Sequence, residues 1–228
     1  MKKIGVVGGI GPASTLDYYS GIIHGIRQKT KDNNYPEIII DSINMTEMLS
    51  YVSQKDWNAL VNLLLKSIKN LENAGAEVAA IASNTPHIVF DQVQKQSSLP
   101  LISIVEETCK YAQLKNCKKV IVIGTQFTMS SDLYTKAFEK YDIAAVVPSK
   151  EDQIAIHNII FPKLEEGIVV PEDKHTMLAI TNRLLKEENA DGLILGCTEL
   201  PLMLKENDLD TVILNTTQIH IESIVNSF

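Results

Sequence analysis

Short runs of aliphatic and β-branched residues alternate with helical patterns along the chain. Within each run polar and apolar residues do not alternate, which is typical of strands that are covered on both faces. The runs are IGVV (4–7), EIIIDSI (37–43), EVAAIAS (77–83), PLISI (100–104), KVIVIG (119–124), AAVV (144–147), GLILG (192–196) and TVIL (211–214). The pattern predicts an α/β fold of doubly wound parallel sheets.

Helical periodicity is clearest in residues 56–73, where leucine and isoleucine follow the period of an α-helix. Gly75 then provides a stop signal. Near the N-terminus, Pro12 suits the first turn of a helix that continues towards Lys29. These helices would cover the faces of the predicted sheets.

A faint internal repeat divides the chain in two. One strand ends in GGIGP near Gly9, and a later strand ends in IGTQFT near Gly124. Downstream of these, further strands end at Ser83 and Cys197, and the two spacings agree to within one residue. The repeat predicts two similar α/β domains.

We place the first domain at 1–98 together with 211–228, and the second at 99–210, so that the last strand and helix cross back to the first domain. Ligands of open α/β sheets bind beyond the carboxyl ends of the strands. With the two domains facing each other, Ser83 and Cys197 would flank one cleft, where we expect the active site.

Composition and charge narrow the class of protein. The 228 residues are 45% apolar and 21% charged, which is ordinary for a globular chain. A net charge of −7 disfavours a general nucleic-acid or anionic-membrane surface. Three cysteines without a C-x-x-C pair disfavour a disulfide framework and structural zinc, and the scattered histidines lack metal-ligand spacing. We therefore predict no metal.

The N-terminus, MKK before IGVVGG, has an apolar run that is too short for a signal peptide and is broken by glycines. No stretch of about 18 apolar residues follows it. We therefore expect a cytoplasmic protein that has no membrane partner.

The first loop, residues 8–12, joins a predicted strand to a predicted helix. Free N–H groups at such a helix start favour an anion, so a small carboxylate bound near Ile10 is one interpretation. A dinucleotide is another, although the third glycine of the usual fingerprint is missing. A tight turn without a ligand is the third.

Cys197 ends a predicted strand in LGCTELP, just before a short predicted helix. Helix N–H groups draw a thiol towards its thiolate, and Thr198 and Glu199 place polar groups beside it. The alternative is a buried thiol that acts as a small apolar side chain. For Cys109 and Cys117, in a helical stretch and the turn after it, we expect structural roles.

A second polar cluster, SNTPH (83–87), follows the strand VAAIA. Buried polar groups need partners, and a bound carboxylate would supply them. Alternatively, Ser83 to Thr85 cap a helix. We expect His87 to be a hydrogen-bonded histidine rather than a base.

These motifs resemble those of the aspartate/glutamate racemase family. GGIGP is similar to the family's first loop, SNTPH to its C-N-T-x-H signature and GCTELP (196–201) to its G-C-T-E signature, in family order across the chain. The resemblance implies two α/β halves that face each other across a cleft, no cofactor, a small amino-acid substrate and a homodimer.

The family's reaction needs two thiols, one on each face of the substrate α-carbon. One removes the α-proton as a thiolate, and the other delivers a proton to the opposite face. The resemblance makes Cys197 one catalytic residue and places Ser83 at the position of the other. The residues expected to bind the substrate are Ile10, Asn84, Thr85, Thr125, Thr128, Thr198 and Glu165.

Ser83 departs from the family pattern, because a hydroxyl is far less acidic than a thiol, whose reference pKa is about 8.5. Ser83 could donate a proton or relay one through water, which would give slow or direction-biased racemisation. The reaction could instead be that of a single-thiol decarboxylase or isomerase of a small dicarboxylate. A third alternative is an amino-acid-binding paralogue without catalysis. We predict the first, a cofactor-independent amino-acid racemase.

Substrate choice is a second departure. Aspartate-specific members hold the side-chain carboxylate with an arginine and a lysine. The stretch 43–52 contains neither residue, and a gap-free alignment on Gly167 puts Glu165 at the lysine position, with Lys163 nearby. Because Glu165 would repel a second carboxylate, we predict a neutral or basic amino acid above aspartate.

Overall fold

The computed structural model describes residues 2–31 and 34–227. The chain divides into two compact units, each with its own parallel sheet. The first unit contains the residues up to Ile104 and those from Thr217 onward, and the second is Val105–Thr216. The predicted α/β fold with two parallel-sheet halves is confirmed.

Each of the eight predicted runs contains a strand. The strands are β1 (Ile4–Gly8), β2 (Ile38–Ser42), β3 (Val78–Ile81), β4 (Leu101–Ile102), β5 (Lys119–Ile123), β6 (Ala144–Val146), β7 (Gly192–Leu195) and β8 (Val212–Asn215). The α-helices are α1 (Pro12–Thr30), α2 (Met45–Gln54), α3 (Trp57–Asn73), α4 (Phe90–Gln96), α5 (Ile104–Leu114), α6 (Gln126–Ser130), α7 (Leu133–Glu139), α8 (Lys150–Ile159), α9 (Pro171–Glu188), α10 (Leu200–Met203) and α11 (Thr216–Asn226). Shorter helical turns occupy Thr85–Val89, Ile160–Leu164 and Glu206–Asp208.

The two sheets have the same strand order, β2-β1-β3-β4 and β6-β5-β7-β8, and every neighbouring pair is parallel. This shared order confirms the two similar halves that the internal repeat predicts. In each sheet the order reverses once, between β1 and β3 and between β5 and β7. A reversal of this kind opens a crevice at the carboxyl ends of the strands, where ligands of α/β proteins bind.

The central strands are far more buried than the outer ones. Strands β1, β3 and β7 are buried at every position, as their continuous apolar runs predict. The outer strands β2, β4, β6 and β8 are partly exposed, because each has a neighbour on one side only. The expectation that all eight strands are fully covered is therefore wrong for the edges.

Helices complete the core of each unit. In the first unit, Tyr18 and Ile22 of α1 pack with Ile221 and Ile224 of α11 against the apolar side chains of β1. The predicted helix at 56–73 is α3, capped by the Asp56 carboxylate, which accepts a hydrogen bond from the backbone of Ala59. Burial of these apolar faces is what holds short parallel strands together.

The predicted domain boundaries, between residues 98 and 99 and between residues 210 and 211, differ from those of the structure. Strand β4 pairs with β3, so the segment up to Ile104 stays with the first sheet. Strand β8 pairs with β7 in the second sheet, and only α11 returns to the first unit. An apolar run shows that a strand exists, but not which sheet edge it joins, so the boundaries shift to Ile104 and Thr216.

Candidate active site

In the first unit, the predicted residues lie at the carboxyl ends of β1 and β3, on either side of the point where strand order reverses. Gly9 makes the tight turn after β1: its φ is +81°, and an added Cβ would lie 2.4 Å from the carbonyl oxygen of Ile43. The buried hydroxyl of Ser14 donates to the carbonyl of Ala82 at 3.0 Å. The structure thus brings the first loop, with the buried Ile10, beside Ser83.

Ser83 is half-buried, and among the described residues its side-chain hydroxyl has no hydrogen-bond partner. Its own N–H donates to the carbonyl of Ile81 at 2.9 Å, which turns the chain at the end of β3. The following helical turn begins after Asn84 without a side-chain cap. The capping alternative for this cluster is therefore wrong.

His87 is buried, and its Nδ1 lies 2.8 Å from the carbonyl oxygen of Ser83. Burial, with a smaller contribution from His220, lowers the pKa of His87 to about 3. The ring is therefore neutral near neutral pH. The expectation that His87 is hydrogen-bonded is confirmed, and the expectation that it is not a base stays a prediction.

In the second unit, the equivalent strand ends approach each other closely. An added Cβ at Gly196 would lie 2.9 Å from the carbonyl oxygen of Ile123, and one at Gly124 would lie 3.0 Å from the carbonyl oxygen of Gly196. Two glycines thus let the loops that carry Thr125 and Cys197 lie side by side. Such contact between strand ends gives little freedom to the residues that follow.

Thr125 and Thr128 form the loop after β5. The Thr125 hydroxyl accepts a hydrogen bond from the backbone of Thr128 at 3.3 Å and so caps α6. The two hydroxyls lie 3.2 Å apart, and Thr128 is buried. Thr125 is the more accessible of the pair, and substrate binding by either residue stays a prediction.

Cys197 follows β7 and donates its S–H to the carboxylate of Glu199 across 3.0 Å. The hydroxyl of Thr198 donates to the same carboxylate oxygen at 2.8 Å. Both Cys197 and Glu199 are buried, at 8% and 6% exposure. Burial, followed by the negative charges of Glu199 and Glu165, raises the pKa of the Cys197 thiol well above its ordinary value.

The backbone N–H of Glu199 acts in the opposite direction, because it donates a hydrogen bond to the sulfur and so favours the thiolate. The resting site is therefore a neutral thiol that donates a hydrogen bond to the neighbouring carboxylate. Cys109 and Cys117 are buried, and burial raises the pKa of both, in accord with structural roles.

Glu165 lies just after the helical turn Ile160–Leu164 and is half-buried. Burial raises the pKa of its carboxyl, and the charges of Glu199 and Glu166 raise it further. The structure therefore brings Glu165 into the electrostatic surroundings of Cys197. Lys163 is exposed.

The predicted residues thus form two groups. Ile10, Ser83, Asn84 and Thr85 gather in the first unit, and Thr125, Thr128, Thr198, Cys197 and Glu165 gather in the second. Glu199 joins the second group, although the sequence analysis places it only beside Cys197 and assigns it no catalytic or binding role. Its position two residues after Cys197, in an otherwise apolar segment, was the available signal.

Within the described residues, no three His, Cys, Asp or Glu side chains form a group that could hold a metal ion. No helix there is long and apolar enough to cross a bilayer.

The fold and these strand ends define the class: an α/β protein of two repeated parallel sheets, with a thiol and a carboxylate paired at one strand end. The sequence profile described as Asp/Glu/Hydantoin racemase matches residues 7–224. The chain belongs to the Asp/Glu/hydantoin racemase family, and the resemblance drawn from its motifs is confirmed.

Similar proteins cover almost the whole chain. The broad specificity amino-acid racemase RacX of Bacillus subtilis (strain 168) is 26% identical over 231 residues, which cover 99% of this chain and 97% of that protein. A crystal structure of an aspartate racemase homologue from Pyrococcus horikoshii OT3 is 36% identical with a TM-score of 0.89, covering 100% of this chain and 99% of that one. A glutamate racemase from Aquifex pyrophilus, at 20% identity and a TM-score of 0.64, covering 99% of this chain and 84% of that one, shares the fold.

Family membership places the chain among isomerases that act on amino acids. The prediction that the chain is an amino-acid racemase is confirmed as far as the class of reaction.

Proposed function

We propose that this protein is a cofactor-independent racemase in which Cys197, assisted by Glu199, serves one face of the substrate α-carbon, and Ser83 serves the other. The observation that carries the proposal is the 3.0 Å hydrogen bond from the buried Cys197 thiol to the Glu199 carboxylate. This pair lies where strand order reverses, the usual ligand position in such sheets.

The first chemical step requires a thiolate, which the resting site does not hold. The thiol proton passes to the Glu199 carboxylate, and the negative charge moves to sulfur, so the pair keeps its total charge. The thiolate then takes the α-proton and becomes a thiol again, and the electron pair of the C–H bond delocalises into the substrate carboxylate. Backbone donation from Glu199 supports the transient thiolate.

Inversion requires a proton on the opposite face, which Ser83 would donate from its hydroxyl. The resulting alkoxide takes a proton from water, and Glu199 releases its proton to water, which restores both groups. Because an alkoxide is much less stable than a thiolate, this half of the reaction is expected to be slow. The two enantiomers are equally stable, so the difference between Cys197 and Ser83 does not change their equilibrium ratio. It changes instead how fast each enantiomer exchanges its α-proton with solvent relative to how fast it inverts.

Charge that develops on the substrate carboxylate needs hydrogen-bond donors. We assign this role to the first loop around Ile10 and to the polar residues at the strand ends, namely Asn84, Thr85, Thr125, Thr128 and Thr198. Their positions after the carboxyl ends of β1, β3, β5 and β7 support this assignment. A homodimer and a cytoplasmic location remain predictions.

The substrate side chain is proposed to be neutral or basic. Glu165 already experiences the repulsion of Glu199 and Glu166, which contributes to the raised pKa of its carboxyl. A substrate with a side-chain carboxylate would add another negative charge there, whereas a basic side chain would relieve the repulsion. The broad specificity of the Bacillus subtilis relative supports a substrate range beyond aspartate.

A panel of L-amino acids, followed by chiral chromatography, tests both activity and specificity. We expect D-enantiomers from neutral or basic substrates at higher kcat/KM than from aspartate. Glu165→Lys should raise the aspartate-to-lysine ratio of kcat/KM by about tenfold or more, because it reverses a charge close to Cys197.

Glu166→Lys is the matched control, since it makes the same charge change at an exposed neighbour. It should alter the ratio much less. Aspartate turning over far better than every other amino acid would contradict the specificity, and no turnover of any panel member would contradict the racemase.

A further inference from the structure

A buried pair of histidines lies beneath the Ser83 turn in the first unit. His87 and His220 are 4% and 0% exposed, and their ring centroids are 6.3 Å apart in an edge-to-face arrangement. Buried imidazoles are costly unless each nitrogen finds a partner. All four ring nitrogens lie near a polar group, so the hydrogen-bonding roles of both rings follow from their partners.

The partners of His87 determine its tautomer. Nε2 accepts from the backbone N–H of Ile104 at 3.3 Å, and a backbone N–H can only donate. Nδ1 faces the carbonyl oxygen of Ser83 at 2.8 Å, which can only accept. The neutral ring therefore carries its proton on Nδ1 and donates it to Ser83.

His220 has the opposite tautomer. Its Nε2 lies 2.9 Å from the carbonyl oxygen of Ile102 and donates to it, so its Nδ1 accepts from the hydroxyl of Tyr18 at 2.6 Å. This network ties α1 and α11 to β4, whereas the Nδ1 of His87 is bonded to the Ser83 turn. Both rings are thus buried, but they bind different segments of the first unit.

His87 also has a fixed ring plane. Phe90 stacks on it with centroids 5.0 Å apart and an interplanar angle of 7°. The ring therefore connects the Ser83 carbonyl to the first turn of α5 as a rigid spacer. The orientation of the Ser83 main chain determines the direction of its Cα–Cβ bond, and hence which positions the staggered rotamers of the hydroxyl can reach.

We propose that His87 is a positioning residue that holds the Ser83 main chain so that its hydroxyl reaches the substrate α-carbon. The proposal rests on the proposed function, because it assigns Ser83 the second face of the reaction. Proton delivery is sensitive to displacements of about 1 Å, so loosening this turn affects inversion more than binding. The Cys197 half of the reaction does not depend on it.

Two conservative variants separate the bonds of His87. In His87→Asn, the amide nitrogen replaces Nδ1 and can still donate to Ser83. In His87→Gln, the amide oxygen replaces Nε2 and can still accept from Ile104, but the donor to Ser83 is lost. Both remove a buried imidazole, so both should lower the melting temperature.

The measurements are kcat and KM for inversion of lysine, and α-deuterium uptake in heavy water without inversion. We expect His87→Gln to lower kcat for inversion about tenfold or more, with KM and Cys197-dependent deuterium uptake nearly unchanged. His87→Asn should retain most of the inversion rate. Tyr18→Phe, which removes the buried partner of His220, should lower the melting temperature without changing either rate.

The positioning role would be overturned if His87→Gln lost inversion and deuterium uptake to the same extent. It would also be overturned if the Asn and Gln variants inverted the substrate at the same rate. Wild-type protein without any uptake would overturn the proposed function as well. If His87→Gln fails to fold, Phe90→Leu loosens the same ring and should lower inversion, less severely, with uptake preserved. Unchanged inversion there would also overturn the role.

Discussion

At the scale of single residues, the proposed reaction depends on whether the shared proton lies on the Cys197 sulfur or on the Glu199 carboxylate. In water a thiol loses its proton more readily than in the buried surroundings of Cys197, where burial and Glu199 favour the neutral form. The same carboxylate is the acceptor within reach. In the proposed mechanism, Glu199 suppresses the free thiolate in the resting site and accepts the thiol proton when a substrate is bound.

Glu199→Gln separates these two effects. Loss of the negative charge should lower the pKa of Cys197, measured as the pH dependence of iodoacetamide labelling at that cysteine by peptide mass spectrometry. Loss of the acceptor should lower kcat for racemisation near neutral pH by about a hundredfold. Faster labelling with slower catalysis is the expected combination.

Glu166→Gln is the matched control. It removes an exposed carboxylate and should change neither the pH dependence of Cys197 labelling nor kcat for racemisation. Cys109 and Cys117 provide internal references in the same digest, because burial raises the pKa of both thiols. Full activity in Glu199→Gln would exclude Glu199 as the proton acceptor, and an unchanged labelling profile would exclude its effect on the thiol.

Some of these contacts can be predicted from the sequence and others cannot. Cys197 and Glu199 are two residues apart, so their contact is local. The bond between Tyr18 and His220 joins residues 202 positions apart, and no periodicity or spacing indicates it. Contacts of this kind depend on how helices pack on a sheet, which only the folded chain determines.

At the scale of elements, two glycines control how the second-unit loops meet. A side chain at Gly196 would push against the carbonyl of Ile123 and the methyl group of Thr128, at 2.9 and 3.0 Å. Because β5 and β7 are both central and buried, the loops have more freedom to yield than the strands. A side chain at position 196 would therefore displace the loop that carries Cys197.

Gly196→Ala should destabilise the protein by about 1–3 kcal/mol and lower racemisation at least tenfold. Gly192→Ala is the control at the other end of β7, where the added Cβ would meet a side-chain methyl of Val120 at 2.9 Å. It should lower stability with little effect on kcat. Urea unfolding and kcat measure the two effects, and equal loss of kcat in both variants would contradict the local role of Gly196.

The pattern of apolar runs predicts the existence of all eight strands but not their surroundings. The central strands β1, β3 and β7 are buried at every position as expected, and β5 at all but its first, whereas β4 consists of only two residues at a sheet edge. Segment 100–104 has the same kind of run as the central strands. Edge position depends on which strand pairs with which, and a single run does not contain that information.

At the scale of the whole molecule, two units share one strand order but differ in the residue at the equivalent strand end. The first has Ser83 after β3, and the second has Cys197 after β7. The internal repeat therefore has a thiol at one of its two equivalent strand ends and a hydroxyl at the other. We propose that Cys197 performs one half of the reaction well and that Ser83 performs the other half slowly.

Deuterium uptake in heavy water tests this claim most directly, with the separate enantiomers of lysine as substrates. The enantiomer whose α-proton faces Cys197 should take up deuterium several times faster than it inverts, whereas the other should exchange only as it inverts. Ser83→Cys should speed inversion and reduce this difference, and Cys197→Ala should abolish uptake from both. Uptake that survives Cys197→Ala, or identical ratios of uptake to inversion for the two enantiomers of the wild-type protein, would contradict the account.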